Sequence, residues 1–485
     1  MTKYDYDIGV IGGGAAGLTI AAGSSQLGAK TLLVEKDDKL GGDCLHYGCV
    51  PSKTLIHSAH VYHQMKNASR FGLPQPEIPP VDFSKVTARI AEVIETIQVH
   101  DSVERFCGLG AQVEFGDARF ADEHSITFGG KTISARTWAI ATGSSPGIPP
   151  FKGLDQTPFI TNKQIFSLKK LPESMIVLGA GPIATEMAQA FNRLGTRVEV
   201  VQRSTQILSK EDQDMAGVVM DAMAAEGVVF HLGASVIEVR DAHGQREVEF
   251  ELGNGDRKTV RAEVLLVALG RTTNTAGLGL ETIGVDMTKR GIPVDSRMRT
   301  SQKHIFAAGD VTGQHQFTHA AGYEGGIVVS NAIFRLPRKA DYTHMPWCTY
   351  TWPELASIGL NEKSAQTAGR EVEVMTENFE GNDRALAEGE NRGKLKLLLD
   401  KGKPVGIQIA GPHAGELISE WVAIQNGGVK LSTLAGAIHP YPTLSEINKR
   451  VAGSYLGPKI FSDKIKKTLK FFFSYKGNAC VLPED

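Results

Sequence analysis

The sequence predicts an α/β fold class, with two Rossmann-like units followed by a separate C-terminal α+β domain. Three observations carry this prediction. Ile8, Val10 and Ile11 form a short apolar strand that runs into Gly12-Gly13-Gly14-Ala15-Ala16-Gly17 and then into a small-residue helix. The same grammar returns at Met175-Ile176-Val177-Leu178 and Gly179-Ala180-Gly181-Pro182-Ile183-Ala184. From about Tyr342 the pattern turns to alternating strands, with a helix near residues 416–425.

In the first unit Thr31-Leu32-Leu33-Val34 makes the second strand and ends at Glu35, beside Lys36. In the second, Arg197-Val198-Glu199-Val200-Val201 makes it and ends at Gln202, beside Arg203. The step from first glycine to strand-end residue is 23 positions in both. Glycine at such a turn lets backbone approach a pyrophosphate, and the helix N-terminus behind it offers unpaired N–H groups and partial positive charge. Gly12, Gly14 and Gly17, then Gly179 and Gly181, therefore predict two dinucleotide-binding domains. Two nucleotide sites in one chain point to a flavin and a nicotinamide exchanging hydride. A carboxylate at Glu35 suits ribose hydroxyls. Gln202 with an adjacent guanidinium suits a 2′-phosphate instead, which predicts NADPH ahead of NADH. A solvated strand-end arginine is the other reading of Arg203.

At 485 residues the chain is too long for one core and reads as about three domains. Residues 146–158 are rich in proline and glycine and mark a crossing between domains. The predicted organisation is a first domain over 1–150, a nicotinamide-binding domain over 151–276, a return to the first domain over 277–343, and a C-terminal domain over 344–485. The formal net charge of -2 argues against nucleic acid as a partner, since such binders carry a basic excess. No run of about 18 uncharged apolar residues is present, so a spanning helix is not expected. Residues 1–7 are polar and lack a signal-peptide pattern, which makes the cytoplasm the expected location.

The five cysteines, at 44, 49, 107, 348 and 480, have neither the spacing of a disulfide framework nor that of zinc ligands. In a reducing compartment the close pair Cys44 and Cys49 reads as catalytic. A helix start beside it would raise the thiolate fraction. Cys107 and Cys348 read as core residues.

The pair lies in Gly41-Gly42-Asp43-Cys44-Leu45-His46-Tyr47-Gly48-Cys49-Val50-Pro51-Ser52-Lys53. This segment resembles the redox-active disulfide motif of the class I pyridine nucleotide-disulfide oxidoreductases, which include glutathione reductase, dihydrolipoyl dehydrogenase and mercuric reductase. The resemblance extends to Ala139-Ile140-Ala141-Thr142-Gly143, Ala268-Leu269-Gly270-Arg271 and Ile305-Phe306-Ala307-Ala308-Gly309-Asp310. It implies a homodimeric FAD enzyme whose C-terminal region is a dimerisation domain. FAD would lie against Gly42, Thr142, Gly143, Gly309 and Asp310, and the nicotinamide against Gly270. Cys49 would be the thiol stacked on the flavin and Cys44 the outer thiol that meets substrate. Lys53 and Glu186 would pair beside the flavin, with a plain structural salt bridge as the alternative.

Three departures from the family pattern stand out. Asp43 occupies a position where relatives commonly have threonine, and an unpaired carboxylate there would repel a pyrophosphate. Pro182 replaces the tyrosine that gates the nicotinamide pocket in glutathione reductase. In the segment His439-Pro440-Tyr441-Pro442-Thr443-Leu444-Ser445-Glu446, tyrosine stands where disulfide reductases place a proton-shuttling histidine; mercuric reductases resemble this chain there. Thiol–disulfide exchange profits from a base of near-neutral pKa, and tyrosine, at roughly 10, is poorly matched to it. A soft metal ion needs no such base, because it binds thiolates and displaces the proton. His439 or His46 remains a candidate base, although a surface or core histidine is the plainer reading of each.

The expected function is NAD(P)H-dependent electron transfer through FAD to Cys44–Cys49 and on to a thiophilic acceptor, as in mercuric reductase. A dihydrolipoyl-dehydrogenase-like disulfide oxidoreductase is the first alternative, and a redox-sensing flavoprotein acting on a protein partner the second. Cys480, near the C-terminus, is a bystander or, as the resemblance to mercuric reductases implies, a thiol that hands metal to the partner subunit, although those enzymes normally use two adjacent cysteines there. Beyond Gly457, Ile460, Phe461, Ile465, Leu469 and Phe472 fall at helical spacing among Lys464, Lys466, Lys467 and Lys470. This predicts a basic amphipathic helix that docks on its own protein or, as the alternative, meets an anionic membrane surface or a partner.

Overall fold

Strands buried on both faces read as continuous apolar runs, and the first sheet is built from such runs. In the computed structural model, which describes residues 4–477 and 479, strands Tyr6–Ile11 and Thr31–Glu35 pair in parallel, Ile8 opposite Thr31 and Ile11 opposite Val34. The sheet runs Ala111–Phe115, Thr31–Glu35, Tyr6–Ile11, Lys131–Ile140, Ser125–Phe128, Arg119–Phe120. Ile305–Ala307, far along the chain, adds in parallel to Lys131–Ile140. Helix Ala15–Gln26 connects the first two strands; Ile20 from this helix is buried in one core cluster with Ile8, Val10 and Leu33.

The second unit is a four-stranded parallel sheet in the order Val229–Leu232, Arg197–Gln202, Ser174–Leu178, Val264–Val267. Its helix Pro182–Leu194 starts on proline, which forfeits no hydrogen bond because the first helical N–H has no intrahelical acceptor. A three-stranded antiparallel sheet, Ser235–Ala242, Gln245–Glu251 and Arg257–Ala262, is attached to it in the same core. The two crossings between the dinucleotide units pair with each other, Ser144–Pro146 antiparallel to Arg271–Thr273.

The chain divides into two compact units. One runs to Ser209 and resumes over Met220–Thr343; the other combines Lys210–Val219 with the residues from His344 onward. The C-terminal unit is a five-stranded antiparallel sheet, Pro346–Thr349, Glu354–Gly359, Lys403–Gly411, Lys394–Asp400, Glu373–Asn378, with helices Ala414–Gly427 and Glu446–Ile460.

Lys210–Val219 lies within the 151–276 range drawn from sequence, yet it groups with the C-terminal unit. Its carboxylates account for this. Glu211, buried, accepts from Trp347 Nε1, Ser357 Oγ and Gln408 Nε2 at 2.6–2.8 Å. Lys396, also buried, meets Asp212, Asp214 and Glu362 within 3.2 Å. Burying charged groups is costly unless they are paired, so these contacts fix the segment to that sheet.

Two further expectations are corrected. Cys107 is exposed at the end of the short helix Val103–Gly108, and Cys348 is only half-buried against the C-terminal core. The C-terminal amphipathic stretch is not one helix. Glu446–Ile460 ends at Phe461, and a second helix, Asp463–Phe473, begins after Ser462. Cys480 lies outside the described residues.

Candidate active site

The glycine turn sets the frame. A Cβ on Gly17 would lie 1.8 Å from the Gly12 carbonyl oxygen, so helix and turn approach more closely than any side chain permits. Glu35 is buried and holds the turn, accepting from the Gly13 N–H at 2.5 Å and the Asp37 N–H at 2.8 Å. Lys36 next to it is exposed. Helix Ala15–Gln26 has neither a side-chain cap nor an acidic residue in its first turn, which leaves its amide groups free for an anion.

The cysteine segment is attached to this turn backbone on backbone. The Gly41 N–H donates to the Gly13 carbonyl at 2.9 Å, and a Cβ on Gly42, at φ +61°, would meet Gly14 Cα at 2.8 Å. Cys44 lies in the short helix Gly42–His46, and Cys49 is the first residue of helix Cys49–Lys66. Both are free thiols in mutual contact. The Cys44 thiol, followed by the Thr318 hydroxyl at 3.3 Å and the Lys53 charge, lowers Cys49 to about 6 against the opposing effect of burial. The shared proton, then burial, pushes Cys44 up. The pair therefore carries one thiolate, on Cys49.

In the protein chain by itself, Cys49 is exposed and Cys44 is half-buried. Lys53 Nζ lies 2.9 Å from Glu186 Oε2, and Glu186, on helix Pro182–Leu194, is only 5% exposed.

Asp43 is paired. Arg271 Nη2 lies 3.0 Å from it and Asn162 Nδ2 lies 3.4 Å away. The same guanidinium donates through Nε to Ser144 Oγ at 2.7 Å and through Nη2 to the Ser144 carbonyl at 2.8 Å, with Asp310 at 3.6 Å. The Ser144 hydroxyl donates to Asp310 at 2.5 Å, and burial pushes the Asp310 carboxyl up. Arg271 thus pairs with Asp43 and lies beside Asp310, one positive charge between two carboxyl groups. Thr142 and Asn274 exchange two hydrogen bonds beside Gly143, and the buried Glu324 accepts from the Gly309 N–H at 2.6 Å and the Tyr342 hydroxyl at 2.7 Å. Positive-φ glycines, an uncapped helix start and the exposed Cys49 together fit FAD.

In the second turn Gly179 and Gly270 have positive φ, helix Pro182–Leu194 again lacks a side-chain cap, and a Cβ on Gly181 would meet nothing within 4 Å. Gln202 is half-buried, while Arg203 is exposed and has no ion pair among the described residues.

Tyr441, His439 and Glu446 belong to the C-terminal unit. Tyr441 is 70% exposed, and its hydroxyl donates to Asp383 Oδ2 at 2.8 Å, which raises its pKa further. The His439 side chain is 9% exposed, with Nε2 3.0 Å from Glu420, and its Nδ1 is buried without a hydrogen-bond partner among the described residues. Glu446 opens helix Glu446–Ile460 and accepts weakly from the Thr443 N–H at 3.5 Å. In the first unit, His46 Nε2 donates to the Leu40 carbonyl at 2.9 Å. Thr318, Arg271, Ser144, Glu324 and Asp383 were not singled out from sequence as site residues. Only Arg271 carried a visible signal there, an arginine closing the same short motif as Gly270.

Two family models match the chain: pyridine nucleotide-disulphide oxidoreductase over residues 6–325, and the dimerisation domain of the same family over residues 345–452. The chain belongs to that family. It is a flavoprotein oxidoreductase with a redox-active cysteine centre and a homodimerisation domain, and its cofactors are FAD and a nicotinamide nucleotide. It is 35% identical to a dihydrolipoyl dehydrogenase of Bacillus subtilis (strain 168), across 90% of this chain and 96% of that protein. It is 34% identical to a mercuric reductase of Streptomyces lividans, across 93% and 96%. Among solved structures it matches the Cu(II) complex of the HOCl-induced flavoprotein disulfide reductase RclA from Escherichia coli, with a TM-score of 0.83, 27% identity, and coverage of 94% and 100%. No helix among the described residues is long and apolar enough to cross a membrane.

Proposed function

We propose that this enzyme uses NADPH to reduce a thiophilic metal ion, with Hg2+ as the model acceptor, through FAD and the Cys44–Cys49 pair. The observation that carries this reading is Tyr441, where a disulfide reductase needs a base. Its hydroxyl is committed to Asp383 and its pKa is raised, so it holds its proton at neutral pH. The RclA structure with Cu(II) adds that a related fold meets a thiophilic metal.

FAD, when bound, supplies acceptance of hydride from the nicotinamide and delivery of two electrons to sulfur. The protein's own residues do the rest. The thiolate on Cys49, with Thr318 and Lys53 beside it, is the group poised toward the flavin. Cys44 keeps the pair's proton until a metal ion binds both sulfurs and displaces it. One hydride's two electrons reduce one divalent ion to the metal, and a proton is released. Arg203 is free to hold a 2′-phosphate, which favours NADPH. By family analogy the partner subunit supplies the C-terminal segment with Tyr441 and His439.

A dihydrolipoyl-dehydrogenase-like activity is the second reading, favoured by the full-length match at 35% identity. The test is NADPH oxidation by the purified holoenzyme with Hg2+ in excess thiol, run beside lipoamide and glutathione disulfide. Metal-dependent turnover that is lost in Cys44→Ser and Cys49→Ser supports the proposal. Rapid lipoamide turnover without a response to metal replaces it with the second reading.

A further inference from the structure

We infer that helix Asp463–Phe473 is a docking element for an anionic lipid surface, independent of the redox centre. It begins beyond the dimerisation match, which ends at residue 452, and none of its residues is buried. Ile465, Leu469 and Phe472 fall at i, i+4 and i+7 and make one apolar face, while Lys466, Lys467 and Lys470 occupy the other. Between residues 463 and 476 there are five lysines against one aspartate, and only Lys466 pairs with it, at 3.8 Å. Lys464, Lys467, Lys470 and Lys476 have no ion pair among the described residues.

The aromatic residues decide between occupants. Phe471, Phe472 and Phe473 are 81%, 70% and 62% exposed, and Tyr475 follows at 59%. Consecutive side chains leave a helix about 100° apart, so the three phenylalanines point around the axis. A flat protein face would cover one or two of them and leave the rest in water. A helix lying in the boundary between headgroups and acyl chains buries its apolar face, Phe472 and Phe473 with it, while the lysines stay with the phosphates. An eleven-residue helix with this charge lies on a bilayer rather than crossing it.

The experiment is flotation of the FAD-loaded dimer with phosphatidylcholine vesicles, and with vesicles that also contain phosphatidylglycerol. The expected result is binding only to the anionic vesicles, reversed by about 0.5 M salt. Lys467→Glu/Lys470→Glu and Phe471→Ser/Phe472→Ser should each weaken binding about tenfold or more, with NADPH oxidation unchanged. These residues are exposed, so the variants should fold. Absence of flotation with anionic vesicles overturns the inference, as does binding that neither variant weakens. Dissociation of the dimer by the phenylalanine variant also overturns it, because the face is then covered by a second copy of the chain.

Discussion

The two dinucleotide turns of this chain share one backbone plan and diverge at the residue that ends the second strand. Gly12 and Gly179 have φ values of +106° and +104°, and a Cβ on either would strike a carbonyl oxygen, of Ala141 at 2.4 Å or of Ala268 at 2.5 Å. In the first turn, Glu35 is buried and holds the Gly13 amide. In the second, a neutral Gln202 is followed by an exposed Arg203 with no ion pair among the described residues. The first turn is thus closed around its own carboxylate, and the second keeps an open cationic rim. The shared plan suits both turns to a nucleotide; the strand-end residue is where the two differ.

The largest effect that would separate the turns is at the third glycine. Gly17→Ala places a methyl 1.8 Å from the Gly12 oxygen, whereas the second turn already carries a buried Ala184 at the same place. Gly17→Ala should destabilise the protein by about 3 kcal/mol or more and abolish FAD retention, read by thermal unfolding and by flavin content. Gly181→Ala, in open space, should leave unfolding unchanged. Equal unfolding temperatures for the two variants would break the comparison.

Next comes nucleotide choice. Arg203→Ala should lower kcat/KM for NADPH by about tenfold to a hundredfold and leave NADH nearly unchanged, since a charge-assisted contact with phosphate contributes about 1.5–3 kcal/mol. Gln202→Glu should move preference further toward NADH. An unchanged NADPH to NADH ratio in both variants would assign Arg203 to solvent. Glu35→Gln should weaken FAD binding with a cost of about 1–3 kcal/mol, measured by flavin release, because the Gly13 amide loses its charged acceptor.

A smaller effect concerns the sulfurs that the first turn positions. Cys49 is lowered to about 6 in the folded protein and returns to roughly 8.5 when unfolded. Between those values the unfolded chain holds the extra proton, so the reduced enzyme should gain stability as pH rises through that window and lose it as pH falls through 6. Cys44→Ala removes the donor that is the largest cause and should move the thiolate midpoint upward, read by ultraviolet absorbance of the thiolate. The smallest effect is Asp43→Thr. It removes one partner of a partly buried guanidinium that keeps Ser144 and Asp310, and it should cost about 1 kcal/mol in thermal unfolding.

Local patterns in the sequence carry much of this. The strand–turn–helix repeats, the cysteine segment and the amphipathic tail are each encoded within a few tens of residues, so periodicity and spacing expose them. The pairings that complete the site span long separations. Asp43 finds Arg271 across the sheet crossing, Thr318 reaches Cys49, and Lys210–Val219 joins a sheet that begins more than a hundred residues later. Such contacts depend on the tertiary path of the chain, and nothing in the local composition around Asp43 or Thr318 announces a partner. Local composition misled at two cysteines: Cys107 stands between apolar neighbours yet ends a short surface helix, and Cys348 is only half-buried.

The most direct test of the central claim is to place a histidine at position 441. In Tyr441→His, kcat/KM should be measured for lipoamide and for Hg2+ in excess thiol, from pH 6 to pH 9. If the acceptor is a thiophilic metal that displaces its own proton, lipoamide turnover should rise about a hundredfold with a new near-neutral pKa, while Hg2+ turnover stays the same. Fast lipoamide turnover by the unaltered enzyme, with no gain from the histidine, would contradict that account and make a disulfide the acceptor.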